Sequence, residues 1–389
     1  MSTQIYDAIV LGVGGVGSSV LSNLARRDLR VLGLDRFPPG HSQGSSHGQT
    51  RLIRQAYWEL PSYVPLLKRA YTLWEELSER CGQKLYHEVG VLQVGSRSGQ
   101  VLPGTLASAK LHGLEVEEIA ATDLADRFPG FQCLDSMAAV FERRAGYLRV
   151  EDCVQAYAAE AQQAGAELRI GEAVQEWSSR AGQIEVRTDR NTYTAKHLVI
   201  TAGSWASQFL ADLGIPLIVT RKPLYWFATS DLRYQADHQA PGFIYETPLG
   251  NFYGFPAIDH FGLKVAEHSG GAVVPDPLLV ERAEDPVETS RVTDFLHAFL
   301  PGVSPQQTQF EVCLYTLSPD RNFLIDRHPE HHNVAFAAGL SGHGFKFASV
   351  LGEILSDLVL TGKTAVPVDF LSCDRFSTRS HAPHGIGPA

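Results

Sequence analysis

The sequence predicts an α/β protein, a parallel sheet flanked by helices with a smaller mixed-sheet domain attached. Three observations predict it. Residues 5–11 are a short apolar run. A glycine-rich turn follows, and "SSVLSNLARRD" and "RVLGLD" then read as a helix and a second strand, a β-α-β opening. Residues 332–360 repeat the order strand, glycine turn, helix. Between them, from Phe227 to Lys264, short strands rich in aromatics, glycine and proline break the helical rhythm.

The remaining elements follow in chain order. "PPGHSQGSSHGQTR", from Pro38, is a long Gly/Ser-rich loop of the kind that tends to carry function. Helical spacing returns from Tyr63 to Arg80, with Val64, Leu67, Tyr71 and Trp74 on one stripe. Residues 151–165 read as a helix, and "AELRIGEAVQEW", "GQIEVRTDR" and "NTYTAKHLVITAG" as strands. In "FEVCLYTL" alternation puts Phe310, Val312 and Leu314 on a core face and Glu311, Cys313 and Tyr315 on the other. The last helix has the stripe Phe347, Val350, Leu351, Ile354, Leu355 and Leu358, and Lys346 is placed in its first turn. The Ser, His, Pro and Gly tail after Phe376 is expected to fray.

Composition narrows the function. The chain has 389 residues, 44% hydrophobic and 20% charged, which is ordinary for a globular protein and enough for two domains without a disulfide or metal staple. Its five cysteines are widely spaced and lack any CxxC, which argues against a disulfide framework or a thiolate zinc site and fits a reducing compartment. A formal charge of -10 without a basic run argues against nucleic acid. No apolar stretch reaches the roughly 20 residues that span a bilayer. The strand that begins almost at Met1 leaves no room for a basic leader, and "GIGPA" is not a peroxisomal signal, so a cytoplasmic protein is expected.

"GVGGVG" sets Gly12, Gly14 and Gly17 in the GxGxxG spacing of a Rossmann-like dinucleotide site. The first glycine permits the tight turn, the second lets a pyrophosphate reach the backbone, and the third lets helix and strand pack closely. Asp35 ends the next strand, placed for ribose hydroxyls and against a 2′-phosphate. FAD and NAD both satisfy this fingerprint. A second glycine turn, Gly339, Gly342 and Gly344, lets a flat ligand approach the backbone before the last helix. Lys346 there opposes the helix dipole, at a cost of a few tenths to ~1 kcal/mol, so an anion is expected beside it.

With those residues in place, the chain resembles the monomeric sarcosine oxidase, N-methyltryptophan oxidase and pipecolate oxidase family, flavoproteins with the D-amino-acid-oxidase fold. The resemblance covers nearly the whole chain. It rests on "GVGGVG", "GSSHGQTRLIRQAY", "FYGFPAIDHFGLKVAEH", "CLYTLSPDRNFLIDRHPEH" and "GLSGHGFKFASVLGEI". It implies an FAD-dependent oxidase of a secondary α-amino acid, N-methyl or cyclic, that yields an imine and hydrogen peroxide. It also implies a monomer whose partners are an amino-acid substrate and oxygen. The cofactor would be covalent FAD, with Cys313 matching the cysteine that bonds the isoalloxazine 8α-carbon.

The resemblance assigns further residues. Ser45, His47, Thr50 and Arg51 match the loop packed on the flavin, with His47 and Arg51 among the catalytic positions. Gly342, His343, Gly344, Phe345 and Lys346 match the second cofactor turn. Arg54 and Lys346 match the pair that holds the substrate carboxylate, a job suited to a guanidinium fork. Tyr315, His268 and Tyr253 match cavity residues, and Lys264 matches the lysine that activates oxygen. An FAD domain of residues 1–84, 150–217 and 319–389 and a substrate domain of 85–149 and 218–318 follow from the same likeness. Trp58 and Gln55, on either side of the "RQAY" segment's end, depart from the sarcosine oxidase pattern, so a different cavity mouth is expected. The residues alone leave two other readings open: a flavin dehydrogenase with an acceptor other than oxygen, and a nicotinamide-dependent dehydrogenase.

Overall fold

Tyr6–Leu11 lies inside a sheet, with Val31–Asp35 on one side and Thr192–Ile200 on the other, both parallel to it. A strand with neighbours on both edges and a packed core on each face has no wet side, which is why residues 8–11 read as an uninterrupted apolar run. The computed structural model describes residues 5–376, so the tail after Phe376 lies outside the described residues. Glu167–Ile170 extends this sheet in parallel beyond Val31–Asp35. On the far side Gln183–Thr188 and Val174–Arg180 add antiparallel strands. Val334–Ala338 joins in parallel against the end of Thr192–Ile200.

One face of the sheet carries the helices Gly15–Ala25, Val64–Cys81, Val150–Gln163 and Ala348–Thr361. Their apolar stripes supply the largest core, including Val64, Leu67, Tyr71 and Trp74 and the stripe from Phe347 to Leu358. The first helix begins at Gly15, inside the glycine motif rather than after it. The last begins at Ala348, and Lys346 belongs to the separate 3-10 turn Phe345–Phe347. Its charge therefore meets a short turn and not a full helix end, which weakens the dipole conflict the sequence suggested.

The second sheet has eight strands in the order Gln307–Leu317, Ile218–Phe227, Leu263–Glu267, Gly250–Phe255, Gly242–Thr247, Val91–Ser96, Met137–Glu142 and Glu117–Ala120. It is mixed, because Gly242–Thr247 and Val91–Ser96 run parallel and the other pairs antiparallel. Its core is aromatic: Phe243, Tyr245 and Phe252 pack against the helix Pro286–Phe299, with Phe252 and Phe295 stacked at 4.4 Å between centroids. The alternation expected for "FEVCLYTL" is only half right. From Val312 to Leu317 every residue is buried, because the loop that carries Ser45 and the strand that carries Arg51 cover the supposed outer face. A small third sheet, Thr50–Ile53, Gly146–Arg149 and Tyr86–Glu88, carries Arg51.

The helices Gly15–Ala25 and Ala348–Thr361 cross at Gly352. A Cβ there would lie 2.0 Å from Ser19 Oγ and 2.8 Å from the Ser19 backbone. Gly352→Ala is therefore expected to destabilise the protein by about 1–3 kcal/mol through a forced helix shift, read as a lower urea midpoint.

Candidate functional site

The first glycine turn is built for close approach. Gly12 has φ +88, and a Cβ on it would stand 2.7 Å from Thr201 O. A Cβ on Gly17 would stand 1.8 Å from Gly12 O, so the third glycine serves helix–strand packing. Gly14 differs: its nearest neighbour would be Ser46 Oγ at 3.9 Å, which leaves its outer side open to a cavity. Asp35 braces the turn, accepting from Val13 N at 2.7 Å and from Phe37 N at 2.8 Å. Each oxygen keeps acceptor capacity toward the cavity that Asp35 lines. Open backbone at Gly14, the start of Gly15–Ala25 and a carboxylate at the end of the next strand together fit a dinucleotide.

The cavity continues from this turn past Ser45 and Arg51 to Gly342, Gly344 and Phe345, and ends among Arg54, Trp58, Tyr253, His268, Tyr315 and Lys346. Gly342, at φ +84, is held against the Tyr315 ring, 2.3 Å from a hypothetical Cβ, so the second glycine turn and the Gln307–Leu317 strand meet without a spacer. His343 contributes backbone only. Its Nε2 pairs with Arg321 O at 3.1 Å and its Nδ1 with Tyr57 Oη. Burial brings His343 down to about 4 and His268 down to about 3, so both rings stay neutral.

Arg54 is buried and already grips a carboxylate. Its Nη2 donates to both oxygens of Glu59, at 2.7 and 2.8 Å, and its Nη1 to Ala56 O at 3.2 Å, while its Nε has no partner. The guanidinium also lies over the Tyr57 ring at 4.4 Å. Burial alone would push Glu59 up, and Arg54 outweighs it and holds the carboxyl below its usual range. Lys346 donates to His343 O at 2.8 Å. Burial and then Arg54 draw it down to about 7, with Glu59 opposing them. The turn that aims Arg54 is fixed from the second sheet: buried Glu142 accepts from Gln55 N at 2.7 Å and Ala56 N at 2.9 Å.

His47, Thr50, Lys264 and Cys313 stand one layer behind the cavity wall, with Arg51 and Ser45 in front. Arg51 Nη2 donates to Cys313 Sγ at 3.1 Å and to Ser45 O at 2.9 Å. Burial would raise the Cys313 thiol, but Arg51 and His47 outweigh it and bring it to about 7. Lys264 Nζ donates to Thr50 O at 3.0 Å and to Gly48 O. Burial, then Arg51, pull Lys264 far below its usual range, while Glu151, Cys313 and Glu311 oppose them.

Sequence reasoning did not single out Glu59, Glu142, Ser46 or the Thr201–Trp205 turn, all of which shape the cavity or its wall. Glu59 carried the one usable signal, a carboxylate close after "RLIRQAY" on a segment already tied to Arg54. Glu142 had none, since it meets Gln55 across 87 positions of chain.

Two sheets, a glycine cradle beside an acidic strand end and a cavity running into the second sheet define a dinucleotide-cofactor protein. The family model for FAD dependent oxidoreductases matches residues 7–358, and the chain belongs to that family. It is an FAD-dependent oxidoreductase. It is 37% identical over 386 residues to monomeric sarcosine oxidase of Bacillus sp. (strain NS-129), covering 98% of this chain and 100% of that one. It is 36% identical to N-methyl-L-tryptophan oxidase of Yersinia pestis (strain Pestoides F), covering 95% of this chain and 99% of that one. Among solved structures it resembles NikD, described as an unusual amino acid oxidase essential for nikkomycin biosynthesis. The TM-score is 0.84 at 27% identity, with 95% of this chain and 98% of that chain covered. Among the described residues no helix is long and apolar enough to cross a membrane.

Because Lys346 gives up its proton near 7, affinity of the cavity for a small carboxylate such as propionate is expected to fall as pH rises through about 7. Lys346→Met should weaken binding at low pH and flatten that dependence, read by titrating the flavin absorbance spectrum.

Proposed function

We propose that this protein oxidises a secondary α-amino acid, N-methyl or cyclic, at its C–N bond, passes the electrons to oxygen and forms hydrogen peroxide. The carrying observation is that Arg54, which lines the cavity, already holds both oxygens of a carboxylate from its single Nη2, with Lys346 nearby. Arg54 and Lys346 hold the substrate carboxylate once Glu59 swings aside. Tyr315, Tyr253 and neutral His268 line the amine's side of the cavity. None of the three is a ready base, which suits an amine that binds deprotonated.

FAD, when bound, supplies the two-electron acceptor and is held by Gly12, Gly14, Asp35, Ser45, Arg51 and the Gly342–Lys346 turn. Its attachment through Cys313 is supported by the sulfur's position directly behind Arg51 and Ser45 and by its lowered thiol range. Lys264 serves oxygen from behind the wall that Arg51 and Ser45 form, pinned by two carbonyls that limit its ordering cost. A proton on Lys264 would favour a new negative charge ~4 Å away by about 4 kcal/mol at an effective dielectric of 20. Trp58 lines the cavity beside Arg54, and its indole Nε1 is buried without a partner, so a substrate acceptor group there is favoured over a bare methyl.

The test is an anaerobic flavin-bleaching screen against sarcosine, N-methyltryptophan, pipecolate and proline. Bleaching by at least one of them, with about one peroxide formed per turnover in air, is expected. Bleaching without peroxide favours a dehydrogenase. Glu59→Gln is expected to tighten propionate binding about tenfold, the equivalent of ~1.4 kcal/mol of released competition. Lys264→Met should slow reoxidation by oxygen by at least ~100-fold and leave anaerobic bleaching rates within about twofold.

A further inference from the structure

Lys222, on the Ile218–Phe227 strand, is 2% exposed and does not line the cavity. Its Nζ donates to three carbonyls of one turn: His268 O at 2.8 Å, Ser269 O at 2.7 Å and Gly270 O. The turn wraps the amino group closely. Gly271 has φ +103, and a Cβ on it would stand 2.6 Å from Arg221 O and 3.2 Å from Nζ. A carbonyl can only accept. An ammonium group has three hydrogens to give and a neutral amine two, so this cradle suits the charged form. The acids that act on Lys222 are engaged with other cations, Glu267 with Arg291 and Glu288 with Arg221.

The same nitrogen stands over the Tyr315 ring, 5.2 Å from its centroid. Tyr315 lines the cavity with His268 and Tyr253, and its Oη lies 3.4 Å from both His268 Nδ1 and Tyr253 Oη. Lys222 thus holds the backbone of one of these residues and backs the ring of another, from outside the cavity. Its charge is felt within: after burial, Lys222 is the largest influence that keeps His268 neutral.

We propose that Lys222 is a positioning residue that selects the form of the substrate amine: it fixes the turn from His268 to Gly271 and sets a positive charge behind Tyr315, so that the cavity accepts a neutral amine and rejects an ammonium group. This deepens the proposed oxidation of a secondary amino acid and rests on it. An amine as basic as a lysine side chain is mostly protonated at neutral pH, and the protonated form has no lone pair to assist loss of hydride. The other charged or titratable groups facing Lys222 are Glu267, Arg321, Glu288 and Cys313, with His268 and Tyr315 in contact. Burial, with Arg321, draws Lys222 down to about 8 against Glu267, Glu288 and Cys313, so it is charged at neutral pH.

The experiment compares two carboxylates of one shape on the flavin-loaded enzyme: betaine, which carries a permanent quaternary ammonium, and 3,3-dimethylbutyrate, its neutral isostere. Dissociation constants are read at neutral pH from the flavin absorbance spectrum. The wild type is expected to bind the neutral isostere more tightly. At an effective dielectric of 20 a unit charge changes a binding constant about tenfold even from ~12 Å away. Lys222→Met should therefore lower the preference for the isostere about tenfold, and Lys222→Arg should keep it within about threefold of the wild type. A loosened turn alone would weaken both ligands and leave their ratio as it was.

An unchanged ratio in Lys222→Met overturns the proposal, and so does a ratio in Lys222→Arg as low as that in Lys222→Met. If the variants fail to fold, the wild-type pH dependence decides. Lys222 loses its proton near 8, so the preference for the isostere is expected to shrink between about pH 7.5 and about pH 9. A constant preference across that range overturns the proposal. A wild-type enzyme whose spectrum responds to neither ligand removes instead the reading that Arg54 and Lys346 take a carboxylate, an outcome distinct from a ratio that ignores Lys222.

Discussion

Four buried basic side chains that must find hydrogen-bond acceptors are the constraint around which the site is arranged. Arg54, Lys222, Lys264 and Lys346 are each nearly inaccessible to solvent. A buried cation without acceptors would cost several kcal/mol, so the chain has to supply them. It does so mainly with backbone carbonyls: Gly48 and Thr50 for Lys264, His343 for Lys346, and His268, Ser269 and Gly270 for Lys222. Only Arg54 takes a full carboxylate, from Glu59. Carbonyls satisfy donors without cancelling the charge. The segments from Gly48 to Thr50 and from His268 to Gly271 are the places where backbone folds around an amino group.

That arrangement explains why the surrounding acids are shared among turns. Glu142 fixes the Gln55–Ala56 backbone, Glu151 accepts from Gly48 N and Gln49 N, and Glu311 meets His47. Each anchors a loop that carries a cavity or wall residue. The loops are held by charge-assisted bonds at defined backbone atoms, which limits how far Arg51 and Arg54 can drift. Glu59 is different. It is bound by a side chain, and its removal from Arg54 needs no rearrangement of the backbone bonds that aim the guanidinium.

Much of this was legible in the sequence and some was not. The β-α-β opening, the glycine motif, the stripe from Val64 to Trp74 and the last helix are local patterns, and local patterns survive in a linear reading. The family likeness brought Cys313, Arg51, Arg54, Tyr315 and Lys346 into one list, and in the structure Arg51 touches the Cys313 sulfur although 262 positions separate them. What could not be read is which residues stand in the wall and which behind it. Cys313, Lys264, His47 and Thr50 carry the same motif-level signal as Arg51, yet only Arg51 reaches the cavity. Burial on both faces from Val312 to Leu317 was hidden for the same reason: a covering segment, residues 45–51, leaves no trace in the period of the strand it covers.

The first sheet carries a consequence for how this protein is made. Its middle is assembled from Tyr6–Leu11, Thr192–Ile200 and Val334–Ala338, and the helix that closes the second glycine turn ends at Thr361. A ribosome must therefore deliver nearly the whole chain before the two glycine turns of the pocket exist together. Cofactor capture is a late event, and nascent chains stalled short of the final helix should be substrates for chaperones. In cells short of riboflavin, the yield of native protein, and not only its colour, would be set by how long that nearly finished pocket waits.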